Sequence, residues 1–458
     1  MRLIWRLAMA GAILFALAQF IHPVIPTQSA KAELDVPPEV RQVLKKSCYN
    51  CHSDEPRLAW FDQIEPGYWI VRQDILTARS HLNFSTLGAA SPAVQRAKLF
   101  EAVNMIQFSD MPLRQYVALH PAAKVTNEEL ATLKTFLTPW GTTPGLFSDT
   151  NRNDELLIGH HVTPASSVSF DMVEPERNGL AFDPSFEKWG LISTTDRGDN
   201  NTLRFVLGND IALRAVKSGK ISPWPDGARF AKIAWEQNLG PDGLIHPGKF
   251  VQVELMVKDA RGYKDTDGWG WGRWLGLTLK PYGENAHFVY ECTGCHMPMH
   301  GNDYIFTLPI TSAHLNHEQI VNNAAALLPA SLPWQPLEWR PLTMYVDPKT
   351  RMTATLYGND AALHALERRD PEQAHSPGYP SGRVLALVTW TQRDDPHWFG
   401  GRIPDTPIKV EFVQTSSGNG TDIYRVFEGK ALTETHADSK TAAQRTDFIL
   451  TLKPVSLP

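Results

Sequence analysis

The sequence predicts a multidomain chain: a small all-α domain followed by two mainly antiparallel-β domains that copy one another. Three observations carry this. From about 33 to 141, apolar residues recur three and four apart behind helix-capping signals. After 180 the period drops to two. Strings in 181–312 then recur in 335–458: "LRFVLGNDIALRAV" beside "MTATLYGNDAALHAL", and "WPDGARFAKIAW" beside "YPSGRVLALVTW". A chain of 458 residues has room for two or three such domains. Its net charge of −5 offers no basic footprint for nucleic acid. The 34 prolines, 31 glycines and 14 tryptophans suit many turns over aromatic cores.

Residues 1–32 open with Arg2 and Arg6, an apolar run from Leu7 to Ile21, and Ala30-Lys31-Ala32 as an A-x-A cleavage site. They read either as a cleaved signal peptide or, since the gap to Ala32 is long, as a retained membrane anchor; both mean export. In 33–141, "VPPEVRQVLKKSCYNCH" starts on prolines suited to a first helical turn. "SPAVQRAKLFEAVNMI" has Ser91 as cap, Pro92 at the first position and a stripe of Leu99, Ala102, Val103 and Ile106. "TNEELATLKTFL" shows a capping box from Thr126 to Glu129. Residues 142–180 read as linker and domain entry, with His160 and His161 as surface residues. Beyond them "TLRFVLG", "ARFAKIAW", "FVQVELMV" and "FILTLKP" read as strands.

All four cysteines fall in two Cys-x-x-Cys-His units, Cys48-Cys51-His52 and Cys292-Cys295-His296. On a helical turn, positions i, i+3 and i+4 share a face. Two thiols then reach the two vinyl groups of one porphyrin while the imidazole takes its iron, the attachment signal of haem c. A redox dithiol, a disulfide or half a zinc site are the plainer readings, but zinc would want further ligands at ordered spacings. The sequence thus predicts two covalent haems, in a compartment outside the cytoplasm. For the first haem, Met111 in "SDMPLRQY" is the expected sixth ligand, with His81 and His120 as rivals.

The repeat serves as an internal control. Alternation puts Phe230, Lys232 and Ala234 on one face of their strand and Ala231, Ile233 and Trp235 on the other. A lysine on an apolar face must be paired, neutral or consumed by chemistry. The second copy has Leu387 in its place, Ala354 in place of Arg204, and no CxxCH, while Glu254 is kept as Glu411. Glu254 is expected to line up with Phe250, Gln252 and Met256. Trp269, Trp271 and Trp274 of "GWGWGRW" are expected to pack a haem edge. The plainer reading of Lys232 is a snorkelling edge residue.

Two resemblances follow. Residues 17–140, through "QFIHP", "SCYNCHSDEPRLAWFDQIEPGYWIVRQDI", "HLNFS" and "MPLRQYVALHP", resemble a small haem-binding domain family of bacterial exported proteins; this implies haem attachment and no substrate. Residues 185–312, through "NTLRFVLGNDIALRAVKSGKISPWPDGARFAKIAW", "PGKFVQVELMVKDARGY", "GWGWGRW" and "ECTGCHMPMHGNDYIFT", resemble cytochrome P-460, periplasmic c-type cytochromes of mostly antiparallel β-sheet, commonly homodimers. That resemblance implies a haem c cross-linked to Lys232, a distal Arg204, an acidic distal residue at Glu254 and a proximal His296. It implies oxidation of hydroxylamine or nitric oxide, with electrons passing through the first haem to a soluble cytochrome c. The alternatives are a gas-binding cytochrome of the β-sheet c-prime type and a plain dihaem electron carrier. The second β copy would then be a degenerate P-460-like repeat without haem, standing in for the homodimer partner.

Overall fold

The computed structural model describes residues 2–142, 169–310, 323–367, 383–415 and 422–455. His160 and His161 lie outside them. The chain divides into two compact units, before and after residue 140.

The first unit is helical. Its helices are α1 (Arg2–Ala18), α2 (Pro38–Ser47), α3 (Tyr49–His52), α4 (Gly67–His81), α5 (Phe84–Leu87), α6 (Pro92–Gln107), α7 (Arg114–Leu119) and α8 (Asn127–Thr142). The start signals act as expected. Pro38 opens α2, Ser91 Oγ accepts from the Val94 amide at 3.4 Å, and Thr126 and Glu129 satisfy each other's amides. Val40, Val43 and Leu44 of α2 are buried, as are Leu99, Phe100 and Val103 of α6 and Leu133 and Leu137 of α8. Ala102 and Ile106 are only partly covered. Helix α1 is exposed along its length, and no helix among the described residues is long and apolar enough to cross a membrane.

The stretch after α1 is part of this fold. The backbone carbonyls of Ile21, Pro23, Val24 and Pro26 accept from Trp69, Tyr68, Arg72 and Arg79, all on α4. The Ile25 side chain is buried against Tyr68 and Ile75.

The second unit is built on β1 (Gly190–Arg197), β2 (Thr202–Gly208), β3 (Arg229–Leu239), β4 (Ile245–Lys258), β5 (Trp269–Leu275) and β6 (Lys280–Pro281), with α9 (Asp210–Ser218) after β2 and α10 (Val289–His296) after β6. The second copy supplies β7 (Arg340–Asp347), β8 (Met352–Gly358), α11 (Asp360–Glu367), β9 (Val384–Asp394), β10 (Gly401–Gln414), β11 (Ile423–Glu428), β12 (Thr433–Thr435) and α12 (Ser439–Thr451). The repetition reaches single atoms. Asn209 and Asn359 cap the helices after β2 and β8 with the same 3.0 Å bond to the third helical amide. Both β1 and β7 carry a bulge after their second residue. Lys232 pairs across to Glu254, and Leu387 to Glu411.

The copies are not separate bodies. Their strands join in the order β1-β2-β3-β4-β7-β8-β9-β10, and β10 pairs back to β1 at Asp196–Arg402 and Arg197–Gly401. One core runs through both, with Phe205, Trp235, Phe250 and Trp274 against Tyr357, Trp390, Phe412 and Phe427. Deleting residues 335–458 should therefore take away about a third of that core, bare the remainder and give insoluble protein; the soluble fraction on expression measures it.

Two expectations are corrected here. "FILTLKP" is not a strand: helix α12 runs through it to Thr451, started by Asp438, whose Oδ1 accepts from the Lys440 and Thr441 amides at 3.0 Å each. The repeat read from the sequence sets "GLTLKP" against "FILTLKP" and ends the second copy where the haem motif would begin; instead the counterpart of "GLTLKP" is the β11–β12 turn, where Leu432 repeats the positive φ of Leu279 (46° and 49°). The second copy continues into α12, which follows its short strand as α10 follows β6 but carries no cysteine.

Candidate functional site

In the first unit, Cys48 joins α2 to α3, and the His52 amide donates to the Cys48 carbonyl at 2.9 Å. Helix α3 thus holds the three motif residues in one turn. The His52 Nδ1 donates to the Leu82 carbonyl at 3.0 Å, leaving Nε2 as the free ligand atom. Burial pushes the Cys48 and Cys51 thiols up to about 12 and about 11, so they stand protonated. Arg79, at the end of α4, faces Asp54 Oδ1 with its Nε at 3.8 Å. Its Nη2 is buried with no hydrogen-bond partner. A donor of this kind beside a CxxCH turn fits an acidic group such as a porphyrin propionate.

Met111 sits in the turn after α6 with its side chain about 36 % exposed. The Nε2 of its rival His120 meets Asp62 Oδ1 at 2.9 Å, and that ring stacks on Tyr116. His81 is exposed at the end of α4.

In the second unit, α10 carries Cys292, Cys295 and His296. The His296 Nδ1 donates to the Tyr304 carbonyl at 2.7 Å, again leaving Nε2 free. Its ring stands between Trp271 (4.7 Å) and Phe306 (5.0 Å). Burial drops His296 to about 4, so it is neutral at physiological pH and ready to bind iron. The Nε1 atoms of Trp224 and Trp271 are buried with no hydrogen-bond partner, further donors beside this turn. Both motifs fit a covalent haem: paired thiols and an imidazole oriented by a backbone carbonyl.

The sheet faces fall as alternation predicts. Ala231, Ile233 and Trp235 lie in the shared core, while Phe230 packs with Val206, Trp269 and Trp271 on the opposite face, beside Cys292. Lys232 is on that second face. Its Nζ donates to Glu254 Oε2 at 2.5 Å, and Glu254 Oε1 faces Arg273 Nε at 3.4 Å. Gln252 also donates to this carboxylate.

Burial alone would raise the Glu254 carboxyl, but Arg273, Lys232 and Arg204 outweigh it and hold it at about 2. Burial brings Lys232 down from 10.5 to about 8, against the pull of Glu254. Buried Arg204 falls to about 9 and keeps its proton at neutral pH; its Nε donates to Thr202 Oγ1 at 3.0 Å. His296 feels Lys232, Glu254 and Arg273, and Cys292 feels Arg273 and Glu254. The structure thus gathers Lys232, Arg204 and Glu254 beside the motif of α10.

Three details depart from expectation. Phe250 does not share a face with Glu254. Ala234 pairs with Gln252 but Trp235 with Phe250, and this bulge turns Phe250 into the shared core. Trp274 also lies in that core, because it is an odd number of positions from Trp271. Arg273 was missed. It lies opposite Glu254 on β5, and its signal was the one that found Lys232: a charge at every-second spacing after Trp269 and Trp271.

The second copy answers the same geometry without these cations. Arg204, Lys232 and Arg273 are matched by Ala354, Leu387 and Val426. Ile449 of α12 and Leu452 just after it pack on Leu356, Leu385 and Leu387, covering that face from within. Glu411 takes its counter-charge from α12, where Arg445 meets both its oxygens at 2.7 Å, and Tyr424 donates at 2.6 Å.

Against this geometry stand two family matches. Residues 11–139 match the model of a haem-binding domain, and residues 184–307 match cytochrome P460, in that order along the chain. No curated protein matches the chain. The two matches mark it as a haem protein of cytochrome type.

Proposed function

We propose that the chain is a c-type cytochrome with two covalent haems that oxidises hydroxylamine or nitric oxide at the His296 haem. Electrons leave through the His52 haem to an external acceptor such as a soluble cytochrome c. The observation that carries this is the Lys232–Glu254–Arg273 cluster beside Arg204, set on an apolar sheet face next to a CxxCH helix. A haem held there supplies an iron that takes a small nitrogen ligand and accepts electrons.

The residues supply the rest. Cys292 and Cys295 tether the porphyrin, and His296 offers Nε2. With Lys232 lowered from 10.5 to about 8, far more of the amine is neutral near pH 7 than for an ordinary lysine. A neutral amine is the nucleophilic form, so burial prepares Lys232 for a bond to the macrocycle: the C–N bond would replace a ring C–H and an amine N–H, two protons would leave, and an external oxidant of the peroxide class would take the two electrons.

That bond also serves the base. Attached to an aromatic carbon, the amine loses its charge, and Glu254 then faces one cation fewer. Its pKa rises from about 2, toward the range where a carboxylate accepts a substrate proton. Arg204 is placed to hold an oxyanion.

Export follows from the N-terminal basic-apolar pattern, and we place the protein in the periplasm. Cleavage after Ala32 would remove Ile25 and the carbonyls that bind α4; we therefore infer that this segment is retained. The second copy, its sheet face covered by α12, is read as haem-free and as the internal counterpart of a homodimer partner.

Peptide mapping tests the proposal. The peptide bearing Cys292 should carry the Lys232 peptide through the porphyrin, and hydroxylamine should reduce the protein. Ordinary c-type ferrous spectra at both haems, with no third link, would sink it and leave a gas binder or an electron carrier. The link should also form faster as pH rises through about 8, since only the neutral amine attacks; following its formation by mass spectrometry across pH checks this.

A further inference from the structure

The turn between β9 and β10 belongs to the second copy but reaches the site of the first. Trp398 packs edge-on against Phe306 (5.4 Å), and Phe306 packs edge-on against His296 (5.0 Å). The neighbouring His397 Nδ1 meets the Phe306 carbonyl at 2.6 Å. On its other side, Trp398 Nε1 donates to Asp199 Oδ2 at 3.2 Å, and Arg197 lies over the indole face at 4.5 Å. Arg197 pairs with both oxygens of Asp199, and the charge of Asp199 bears on Arg204. The turn is fixed in place. Asp395 and Gly401 bond across it, the Gly198 amide donates to Gly400 at 2.9 Å, and Arg197 pairs with Gly401 in the β1–β10 ladder.

The corresponding turn of the first copy, between β3 and β4, has no aromatic residue. Its Leu244 packs on the apolar cluster under α12. Each copy thus covers the other's outer face, but only the haem-bearing face receives a tryptophan.

We propose that Trp398 is a positioning residue of the His296 haem site, so that the second copy completes the first one's active site. Through Phe306 it sets the plane of the axial imidazole. Through Asp199 it sets Arg204, the group that would meet a nitrogen oxyanion. This rests on the haem reading above but not on the lysine bond or on hydroxylamine as substrate.

The test uses the full-length, haem-loaded protein with Trp398→Ala and Trp398→Phe. Readouts are the midpoint potential of each haem by spectroelectrochemical titration and the affinity of the ferric protein for azide, an anionic nitrogen ligand. Trp398→Ala should shift the potential of the His296 haem, leave the His52 haem unmoved as internal control, and weaken azide about tenfold, the worth of one charge-assisted hydrogen bond. Trp398→Phe keeps the ring but lacks the N–H, so it should restore the potential and not the azide affinity.

An unshifted potential together with unchanged azide binding in Trp398→Ala overturns the proposal. If that variant does not fold, Trp398→Phe decides alone: unchanged azide affinity overturns it, and about tenfold weakening at an unchanged potential supports it. If azide fails to bind the parent protein, the vacant iron site of the functional reading is lost, and the potential arm still decides on Trp398.

Discussion

Replacing Lys232 by leucine is expected to remove the third link between chain and porphyrin and to lower turnover with hydroxylamine about 100-fold or more, while both haems remain attached. Leucine is what the second copy carries at this place, on the same strand and opposite the same glutamate, so the fold has already shown that it accommodates it. Cys292 and Cys295 still tether the haem, because α10 and its bond from His296 to Tyr304 do not involve Lys232.

Glu254 keeps its charged neighbours: in the linked parent the bonded amine carries no charge, and in the variant the amine is absent, so in both Arg273 and Arg204 remain to hold its carboxyl down. Glu254 is then still ionised at pH 7, so any loss of rate cannot come from a missing carboxylate. It must come from the missing link and its effect on the macrocycle, which separates this variant from Glu254→Gln. General-base assistance is worth about 10²–10⁴ in rate, so Glu254→Gln should lower turnover within that range while keeping the third link. The measurements are intact mass, the ferrous absorption band and the hydroxylamine-dependent rate. An unchanged band and rate in Lys232→Leu would dismiss the lysine from the chemistry.

How much of this was legible in the sequence follows from the range of each interaction. Strand parity is local, and it placed Lys232 on the face away from Ala231, Ile233 and Trp235; that this face lies beside the CxxCH helix came only from the family resemblance and the fold. The repeat extended that reach: matching two strings set Lys232 against Leu387 and Glu254 against Glu411, while the pairing of Lys232 with Glu254 across the ladder needed the fold. Parity fails where the ladder slips, and the bulge that turns Phe250 inward leaves no mark in a run of apolar residues.

The same holds for "FILTLKP". Its alternation looks like a strand, but the cap that decides for helix, Asp438, lies ten residues upstream. Trp398 was out of reach altogether. It is nearly two hundred residues from Asp199, and only closure of the sheet through β1 and β10 brings the two together. The helical unit was legible for the opposite reason: its starts are set by side chains three residues away, Ser91 and Thr126 among them.

The second large effect concerns the copy without a motif. Glu411 is fully buried and rests on Arg445 and Tyr424. Arg445→Ala would leave a carboxylate inside the core without its cation, which costs about 3 kcal/mol in comparable buried pairs. For a unit of this size that should lower the melting temperature by roughly 4–5 °C. Replacing both partners, Glu411→Leu with Arg445→Met, should recover most of the loss, because apolar groups of similar size need no counter-charge.

Calorimetry on the two variants checks the order. Equal destabilisation by the single and double changes would mean that α12 is held by its apolar contacts alone. The comparison bears on the haem site too. The first copy has the same glutamate but meets it with Lys232 and Arg273 from the sheet rather than with an arginine from the covering helix. In one copy the cation closes the face with α12; in the other the cations stay on the strands, and the face lies beside a helix built to carry a porphyrin. On the proposed function, the charge that stabilises one half of the molecule is therefore the charge that the other half commits to chemistry.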